Sequence, residues 1–569
     1  METNPVSRAV FALVLALAVQ PAAAQQIAPG PLERLDDPPG LPATNTSPRK
    51  TLQRGGSVIV QVNVDEFGNN IVGDAANEPS IAVDPTAPNR IAIGWRQFDT
   101  ITSNFRQAGW AWSNDGGRTW RRTSPGIIEP GVFRSDPVLG ADADGTFYYL
   151  SLTWDFSTTM FISRDHGMTW PEGHFAFGGD KQWFTTDRTG GIGRSNIYEV
   201  WSPAATPFAP NTFSRSTDSG VTWMDLSELP DHPQWGTMSV GPDGTLFMAG
   251  RKRAAGWPVV RSTNAQDPSQ TPAFSLASVN LDARPKSGQG PNPGGLLGQV
   301  WVATDHSAGP TRGNVYLLTS ADILSEPVDP LDVVFARSED GGTTWSAPVR
   351  VNDDPPRDNI WQWFGTMSVA PNGRIDVVWN DTRNSPDDSR FSELHYSFSL
   401  DAGRTWSPSA ALSPPWNSHV GWPDQMKIGD YYDMVSDNLG ANLAWAATFN
   451  GEQDVYYIHI GPRDCNGNSI PDTADIAAGI SGDCNANGIP DECEIAAGAV
   501  ADDNGDGVPD ECQTCPADID GDGDADVDDF FAFVVAFAAG DPAADVNGDG
   551  SIDVDDFFAF VAVFAAGCP

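Results

Sequence analysis

The eight residues SNDGGRTW (113–120) set a hydroxyl, a carboxylate, two glycines, a threonine and a tryptophan at a spacing that recurs four more times. SRDHGMTW (163–170), STDSGVTW (216–223), SEDGGTTW (338–345) and SLDAGRTW (399–406) repeat it, with gaps between starts of 50, 53, 122 and 61 residues. The long gap holds two units, because RSTNAQDPSQTPAF (261–274) falls where another octet is due and keeps Ser262. Chemistry seldom needs five copies of itself, so the octet reads as a corner of a repeated fold. Its aspartate can accept hydrogen bonds from turn N–H groups, the glycine two residues on supplies positive φ, and the tryptophan packs on a sheet.

Ahead of each octet runs a second phrase: EPSIAVDPTAPNRIAIGW (78–95), SDPVLGADADGTFYYLSLTW (135–154), QWFTTDRTGGIGRSNIYEVW (182–201), QWGTMSVGPDGTLFMAGR (234–251) and FGTMSVAPNGRIDVVW (364–379). Each joins two β-rich strands through a turn of Asp, Asn, Pro or Gly, which predicts hairpins. Residues 298–320 and 430–449 complete the series. A period of about 50 to 65 residues with four strands per unit predicts a mainly β chain folded as a β-propeller. Seven blades follow if the degenerate stretch belongs to a blade, six if 252–296 is an insertion. The last unit lacks an octet, and SVIVQV (57–62) is available as its fourth strand, closing the ring and hiding two sheet edges.

A chain of 569 residues is too long for one ordinary core. Arg8, the apolar stretch 9–19 and the small residues 21–24 read as an export signal over 1–24. Residues 25–55, rich in proline and polar groups, read as a linker, and 56–463 as the propeller. No later apolar run reaches membrane-spanning length, so no transmembrane helix is expected once the signal is removed. Net charge is −42, and residues 464–569 hold 25 Asp and Glu with no Lys, Arg or His. Such a tail repels nucleic acid and attracts cations. All six cysteines lie there; six allow 15 pairings, among which sequence does not choose.

The pattern S-x-D-x-G-x-T-W resembles the Asp box of sialidases and related propellers. That resemblance implies a fold with its Asp boxes on the outer rim, and a site of three arginines, a tyrosine with a glutamate, and an aspartate. The motif carrying the first arginine is absent, and NEPSIAVDP (77–85) takes its place. Catalytic residues are therefore left unassigned. Arg251, Asp381, Arg383, Asp430 and Tyr431 are the candidates for substrate binding at the axis. Entry phrases such as DKQWF (180–184), DHPQW (231–235) and NIWQWF (359–364) offer indole faces for sugar rings and polar groups for hydroxyls.

DIDGDGDADVDD (518–529) and DVNGDGSIDVDD (545–556) place oxygen ligands at loop positions 1, 3, 5, 7, 9 and 12 with glycine at 6, as a hard cation such as Ca²⁺ requires. Asp518, Asp520, Asp522, Asp526 and Asp529 would hold one ion, and Asp545, Asn547, Asp549, Asp553 and Asp556 the other. Asp524 and Ser551 would add backbone carbonyls. Each loop leads into a near-identical helix, with Phe530, Phe533, Val534 and Phe537 as the stripe of the first. This duplicated α-helical, EF-hand-like unit resembles a dockerin type I module over 514–569, which implies a cohesin-like or envelope attachment partner. Its usual recognition pair is replaced by Val527-Asp528 and Val554-Asp555, and the terminal AAGCP resembles GC-type anchors. Between the two regions, 464–513 repeats every 19 residues and resembles thrombospondin type 3 repeats, a loop-rich segment in which cysteine and calcium are both available as staples.

Three readings stay open. One is a secreted or surface-tethered, calcium-binding propeller that takes extracellular glycan or glycoprotein. The second is a glycoside hydrolase, sialidase-like or acting on another polysaccharide. The third is a structural envelope protein.

Overall fold

The computed structural model describes Met1 and residues 37–54, 57–252, 256–325, 328–513, 516–521 and 525–566. Apart from Met1, the export segment expected over 1–24 lies outside them, as do residues 25–36 of the expected linker.

Seven antiparallel sheets form a seven-bladed β-propeller. Their inner strands are Ala75–Val83, Ser135–Ala141, Trp183–Thr186, Met238–Val240, Trp301–Thr304, Gln362–Val369 and Asp433–Ser436. Each inner strand touches the next, and the seventh touches the first, which closes the ring. The fourth blade settles the count at seven. Met238–Val240, Leu246–Ala249, Trp257–Ser262 and Ser275–Val279 make a complete sheet despite the degenerate octet. There Asn264 replaces the octet aspartate: it accepts from Ser262 Oγ at 3.1 Å, and its Oδ1 takes Ala273 N–H at 2.8 Å.

The seventh blade takes its outer part from the N-terminal end of the chain, as the missing fourth strand predicts. Asp433–Ser436, Ala441–Ala447 and Asp454–Ile460 are followed by Ser57–Gln61, with Ile59 opposite Ile458 and Gln61 opposite Tyr456. Thr51–Arg54 adds a fifth strand, and Thr46–Pro48 pairs with Asn69–Ile71. Residues 46–48 and 51–54, expected as linker, are thus in strands; a sheet edge lacking pairs takes whatever extended backbone adjoins it.

Every octet makes one knot at the turn after its blade's third strand. In the first, Ser113 Oγ donates to Asp115 at 2.7 Å and accepts Gly117 N–H at 2.9 Å, while Asp115 also takes Thr119 N–H and the Thr119 hydroxyl. The same bonds recur around Asp165, Asp218, Asp340 and Asp401. The knot aims the octet glycine at the preceding blade. A Cβ on Gly117 would lie 2.1 Å from Tyr457, on Gly167 2.8 Å from Ala92, on Gly342 3.0 Å from Phe247 and on Gly403 2.2 Å from Phe335. All four glycines have positive φ. The tryptophans follow: Trp120 meets Tyr457 edge-on at 5.3 Å, and Trp406 meets Phe335 at 5.2 Å.

Beyond the propeller, disulfides join Cys465 to Cys493 and Cys484 to Cys512, two of the 15 pairings' possible links; Cys515 and Cys568 lie outside the described residues. Short helices Asp472–Ala478 and Asp491–Ala497 follow the first two 19-residue loops. Helices Val527–Ala539 and Val554–Ala566 pack through Phe533 and Phe560, stacked 4.0 Å apart, with Phe530 and Phe564 beside them. Val534, placed on the packing stripe by its spacing, is 41% exposed, and the first helix packs through Phe530, Phe533, Ala536 and Phe537 instead. Among the described residues no helix is long and apolar enough to cross a membrane.

Candidate functional site

Inner and third strands of a blade run in the same direction, and the octets follow the third. The octets therefore lie at the mouth opposite the one where inner strands begin. At that entry mouth the first three blades do the same unusual thing. Each has a residue in the left-handed region in or just before the first half of its inner strand: Glu78 (φ 50°) inside Ala75–Val83, Asp136 (φ 45°) second in Ser135–Ala141, and Lys181 (φ 54°) two residues before Trp183. Trp235 (φ 54°) and Phe364 (φ 58°) do so in blades four and six. A side chain with a Cβ resists this conformation, at a cost of about 1 to 3 kcal/mol per residue, and such strain gathers where a fold must present particular groups. The bulge it makes is visible as the register shift between Asn77 and Ser80.

The three charged residues meet others from neighbouring elements in a buried cluster. Arg96 Nη2 lies 3.0 Å from Glu78, Lys181 Nζ lies 2.8 Å from Asp136 and 2.7 Å from Asp430, and Lys427 lies 2.7 Å from Asp430 and 3.3 Å from Glu78. Arg106 donates to Ser135 Oγ, which donates in turn to Asp136. Asp180 stands at the edge, 3.9 Å from Lys181. Four cations thus face four carboxylates with no side chain more than 8% exposed among the paired groups. Glu78 Oε2, Asp180 Oδ1 and Gln182 Oε1 are buried without a hydrogen-bond partner.

Charges so confined set each other's protonation. Burial raises Glu78 to about 7, against the pull of Arg96, Lys181 and Lys427. Burial raises Asp180 to about 6, with Lys181 opposing and Asp136 assisting. Burial also opposes the charge of Asp136 and Asp430, but Lys181 and its neighbours outweigh it and hold both carboxyls below the ordinary range. Glu78 and Asp180 therefore titrate at or just below neutrality beside two carboxyls that stay charged, an arrangement able to donate and accept hydrogen bonds or protons at one place.

Of the residues singled out by sequence, Asp430 and Tyr431 lie in this cluster. Tyr431 is 3% exposed, donates to Pro137 O at 2.8 Å, and stands 5.5 Å from Trp183, which meets Trp301 at 5.3 Å. These rings block the axis. On their far side a cavity of about 440 Å³ opens toward the octet mouth, lined by inner-strand residues of the blades, among them Met238, Thr304, Ser368 and Asp433. Asp381 and Arg383 lie apart from the cluster, ending the second strand of blade six. They pair with each other at 2.7 Å; Arg383 also holds Asp353 at 2.7 Å, and Asp381 takes the Trp379 indole N–H at 2.8 Å. The Arg251 guanidinium carbon lies 3.2 Å from the centre of the Trp235 ring at the entry mouth.

Glu78, Arg96, Arg106, Asp136, Asp180, Lys181 and Lys427 were missed as site residues. The signal was the polar start of the entry phrases, where a charged residue precedes an apolar strand in NEPSI, SDPVL and DKQWF.

In the tail, carboxylate oxygens of Asp518, Asp520 and Asp529 lie within 4.8 Å of one another, while Asp522 and Asp524 lie outside the described residues. Asp526 caps the following helix. In the second loop Asp545 and Asn547 accept Asp549 N–H, Asp549 accepts Ser551 N–H, and Asp553 N–H donates to the buried Asp556. The 19-residue repeats share this plan. Asn466 and Asn468 donate to Asp475, and Asn485 and Asn487 to Glu494, the twelfth residue of each loop, while Asp464 and Asp483 at the first position accept loop N–H groups. Asp475 is fully buried, and its Oδ1 has no hydrogen-bond partner. This segment is seated on the propeller: Arg118 pairs with Asp472 at 3.1 Å, and Asn114 donates to Ala497 O at 2.6 Å.

No family model matches the chain, and no curated protein matches it. Among solved structures, a protein of unknown function from Dyadobacter fermentans is 16% identical over 71% of this chain and 98% of that one, with a TM-score of 0.39. The endosialidase of phage phi92 is 10% identical over 72% and 69%, TM-score 0.40, and the GH74 xyloglucanase of Xanthomonas campestris 16% identical over 69% and 56%, TM-score 0.37. Similarity at this level carries nothing about activity.

One titration in the axial cavity can be isolated. Burial raises Asp433 to about 7, although Ser80 Oγ at 2.6 Å and Ile81 N–H at 3.1 Å favour its charged form. The folded chain then keeps a proton that the unfolded chain loses near pH 4, so this contribution to stability is complete below about pH 4 and lost as pH rises to about 7. In urea unfolding, wild type should lose up to about 4 kcal/mol relative to Asp433→Asn across that window; a difference that stays flat contradicts the assignment.

Proposed function

We propose that this chain is an exported propeller that binds extracellular glycan at its entry mouth and is held in place by a calcium-loaded tail. The observation that carries the reading is the row of left-handed charged residues, Glu78, Asp136 and Lys181, one per successive blade and all in one cluster. A scaffold role does not require strain at three equivalent positions, nor charges where apolar side chains would pack; presenting ligand-binding groups does. Trp235 stands at the same level with the Arg251 guanidinium over its ring, and carboxylates, amides and guanidinium groups bond sugar hydroxyls.

The hydrolase reading keeps one specific support. Glu78 at about 7 and Asp180 at about 6 are carboxyls able to act as general acids near neutral pH, in the same cluster as Tyr431. Binding is favoured because the Tyr431 hydroxyl is engaged with Pro137 O.

For the tail, we propose Ca²⁺ at the 518–529 and 545–556 loops and also in the 464–513 repeats, with the dockerin-like pair of helices as the attachment module. Oxygen-only ligand sets, glycine turns and a terminal acid at the twelfth position support this reading. The disulfides Cys465–Cys493 and Cys484–Cys512 support an oxidising, extracellular setting.

A panel of polysaccharides tested by affinity electrophoresis should retard the wild-type chain, and Lys181→Met should lose about tenfold in affinity; no retardation by any glycan contradicts the reading. Equilibrium dialysis of the full chain should find two or more Ca²⁺ per molecule, with one fewer in Asp556→Asn; a chain that retains none sinks the calcium proposal.

A further inference from the structure

The ring is closed by residues far apart in the chain, and three carboxyls, Asp74, Glu452 and Asp454, lie along that seam. Asp454 opens the third strand of blade seven. Beside it the N-terminal segment leaves its strand pairing and continues through a side chain: Val62 N–H donates to Val455 O at 2.8 Å, then the Asn63 amide takes Val455 N–H at 2.9 Å and donates to Asp454 at 2.7 Å. Asp74, one residue ahead of the first inner strand, accepts from Gln97 at 2.7 Å. That inner strand is tied to the same stretch of blade seven, with Ala76 N–H on Gln453 O at 2.8 Å and Asn77 donating to the Gln453 amide oxygen at 2.9 Å. Glu452 receives Gly73 N–H at 2.6 Å and Asn70 at 3.2 Å.

Asp74 is 1% and Asp454 0% exposed, and each keeps one oxygen without a hydrogen-bond partner, Oδ1 of the first and Oδ2 of the second. The buried Tyr456 hydroxyl, on which Asp454 and Glu452 act, is a third such atom. Among the described residues no Lys, Arg or His pairs with any of the three carboxyls. Arg122 is the one cation among the groups acting on Asp74, and its guanidinium bonds Val64 O and Pro125 O. The buried acids at the entry mouth differ, because Arg96, Lys181 and Lys427 face them. Burial raises Asp454 to about 7 against the bond from Asn63, with Glu452 adding to the rise. Burial raises Asp74 well above its ordinary value, and Asp454 is the next cause, so the two titrate as a pair. The folded seam keeps protons that an open seam, its carboxyls in water, gives up near pH 4. Closure is therefore fully stabilised below about pH 4 and weakens as pH rises through about 7.

We propose that this seam is a proton-held latch: with Asp74 and Asp454 protonated the N-terminal strands stay clasped to blade seven, and with both charged they loosen from it while the other blades stay paired. Two buried charges without a cation repel each other and favour water, and water reaches them when residues 57–64 or 69–74 lift away. The loosening falls here because blade seven is the blade that joins the two ends of the propeller: Ser57–Gln61 lies beside Asp454–Ile460, whereas blades two to six are each built from one continuous stretch of chain.

The test is hydrogen–deuterium exchange of the full, calcium-loaded chain at about pH 6 and about pH 8, with the intrinsic exchange rates divided out. Protection of residues 57–64 should fall about tenfold or more between the two conditions, while Val315–Ile323 in blade five keeps its protection. Asp454→Asn retains an oxygen for Asn63 and does not ionise, so it should shrink that fall to about threefold or less, and adding Asp74→Asn should flatten it. Asp433→Asn should leave the fall intact, which separates the seam from the axial carboxyl. Should the double variant fail to fold, the single variant decides. Equal wild-type protection at both pH values, a fall that Asp454→Asn keeps in full, or an equal fall in Val315–Ile323 overturns the latch.

Discussion

A glycine pressed against the neighbouring blade is the constraint on which the rest of this structure depends. Each blade must meet the one before it along a face, yet its own outer hairpin has to turn at that border. The octet resolves the conflict with a short chain of bonds, serine to aspartate to threonine, that tightens the turn until the glycine backbone touches the preceding sheet. No side chain fits between Gly117 and Tyr457 or between Gly403 and Phe335. The aspartates are thereby committed to their own turns, and the buried charge cluster lies at the opposite mouth.

There the same sheets run under a different rule. Inner strands enter through strained backbone, and Ser80 links three blades at the axis by accepting Leu139 N–H while donating to Asp433. Rigidity supplied by the latches at one mouth holds strain at the other, because a bulged strand with a buried charge persists only when its surroundings leave it no alternative. The tail joins this framework through the first octet, where Arg118 reaches Asp472 inside a proposed calcium loop. Asp472 also accepts Cys465 N–H at 2.7 Å, so the appendage is positioned by the scaffold as well as attached to it.

The ring was legible in the sequence because its signals are local and repeated. Five octets, seven hairpin phrases and an unpaired SVIVQV were enough to place the blades and the closing strand. Asn264 shows why the degenerate unit still folds: its amide oxygen accepts the serine hydroxyl as the carboxylate does, and takes a backbone N–H nine residues on in place of the threonine four residues on. The cluster was less legible. Lys427 and Asp430 come from one loop and Arg96, Asp136 and Lys181 from three blades, so only closure of the ring brings them together, and no spacing records it. Asp381 and Arg383 stand close in sequence and close in space, but their bonds serve blade six. Val534 fits the helical period and still faces solvent, because the two phenylalanine-rich helices need only one narrow seam.

Comparing Gly403→Ala with Gly313→Ala by thermal unfolding tests the latch most directly. Both glycines have positive φ, 75° and 85°, so both substitutions carry the same backbone strain, but only the first drives a methyl group into Phe335; around Gly313 nothing lies within 4 Å. The account predicts that Gly403→Ala loses about 1 to 3 kcal/mol more than Gly313→Ala. Equal losses would mean that the octet glycine serves its own turn alone and that the blades are held together by something else.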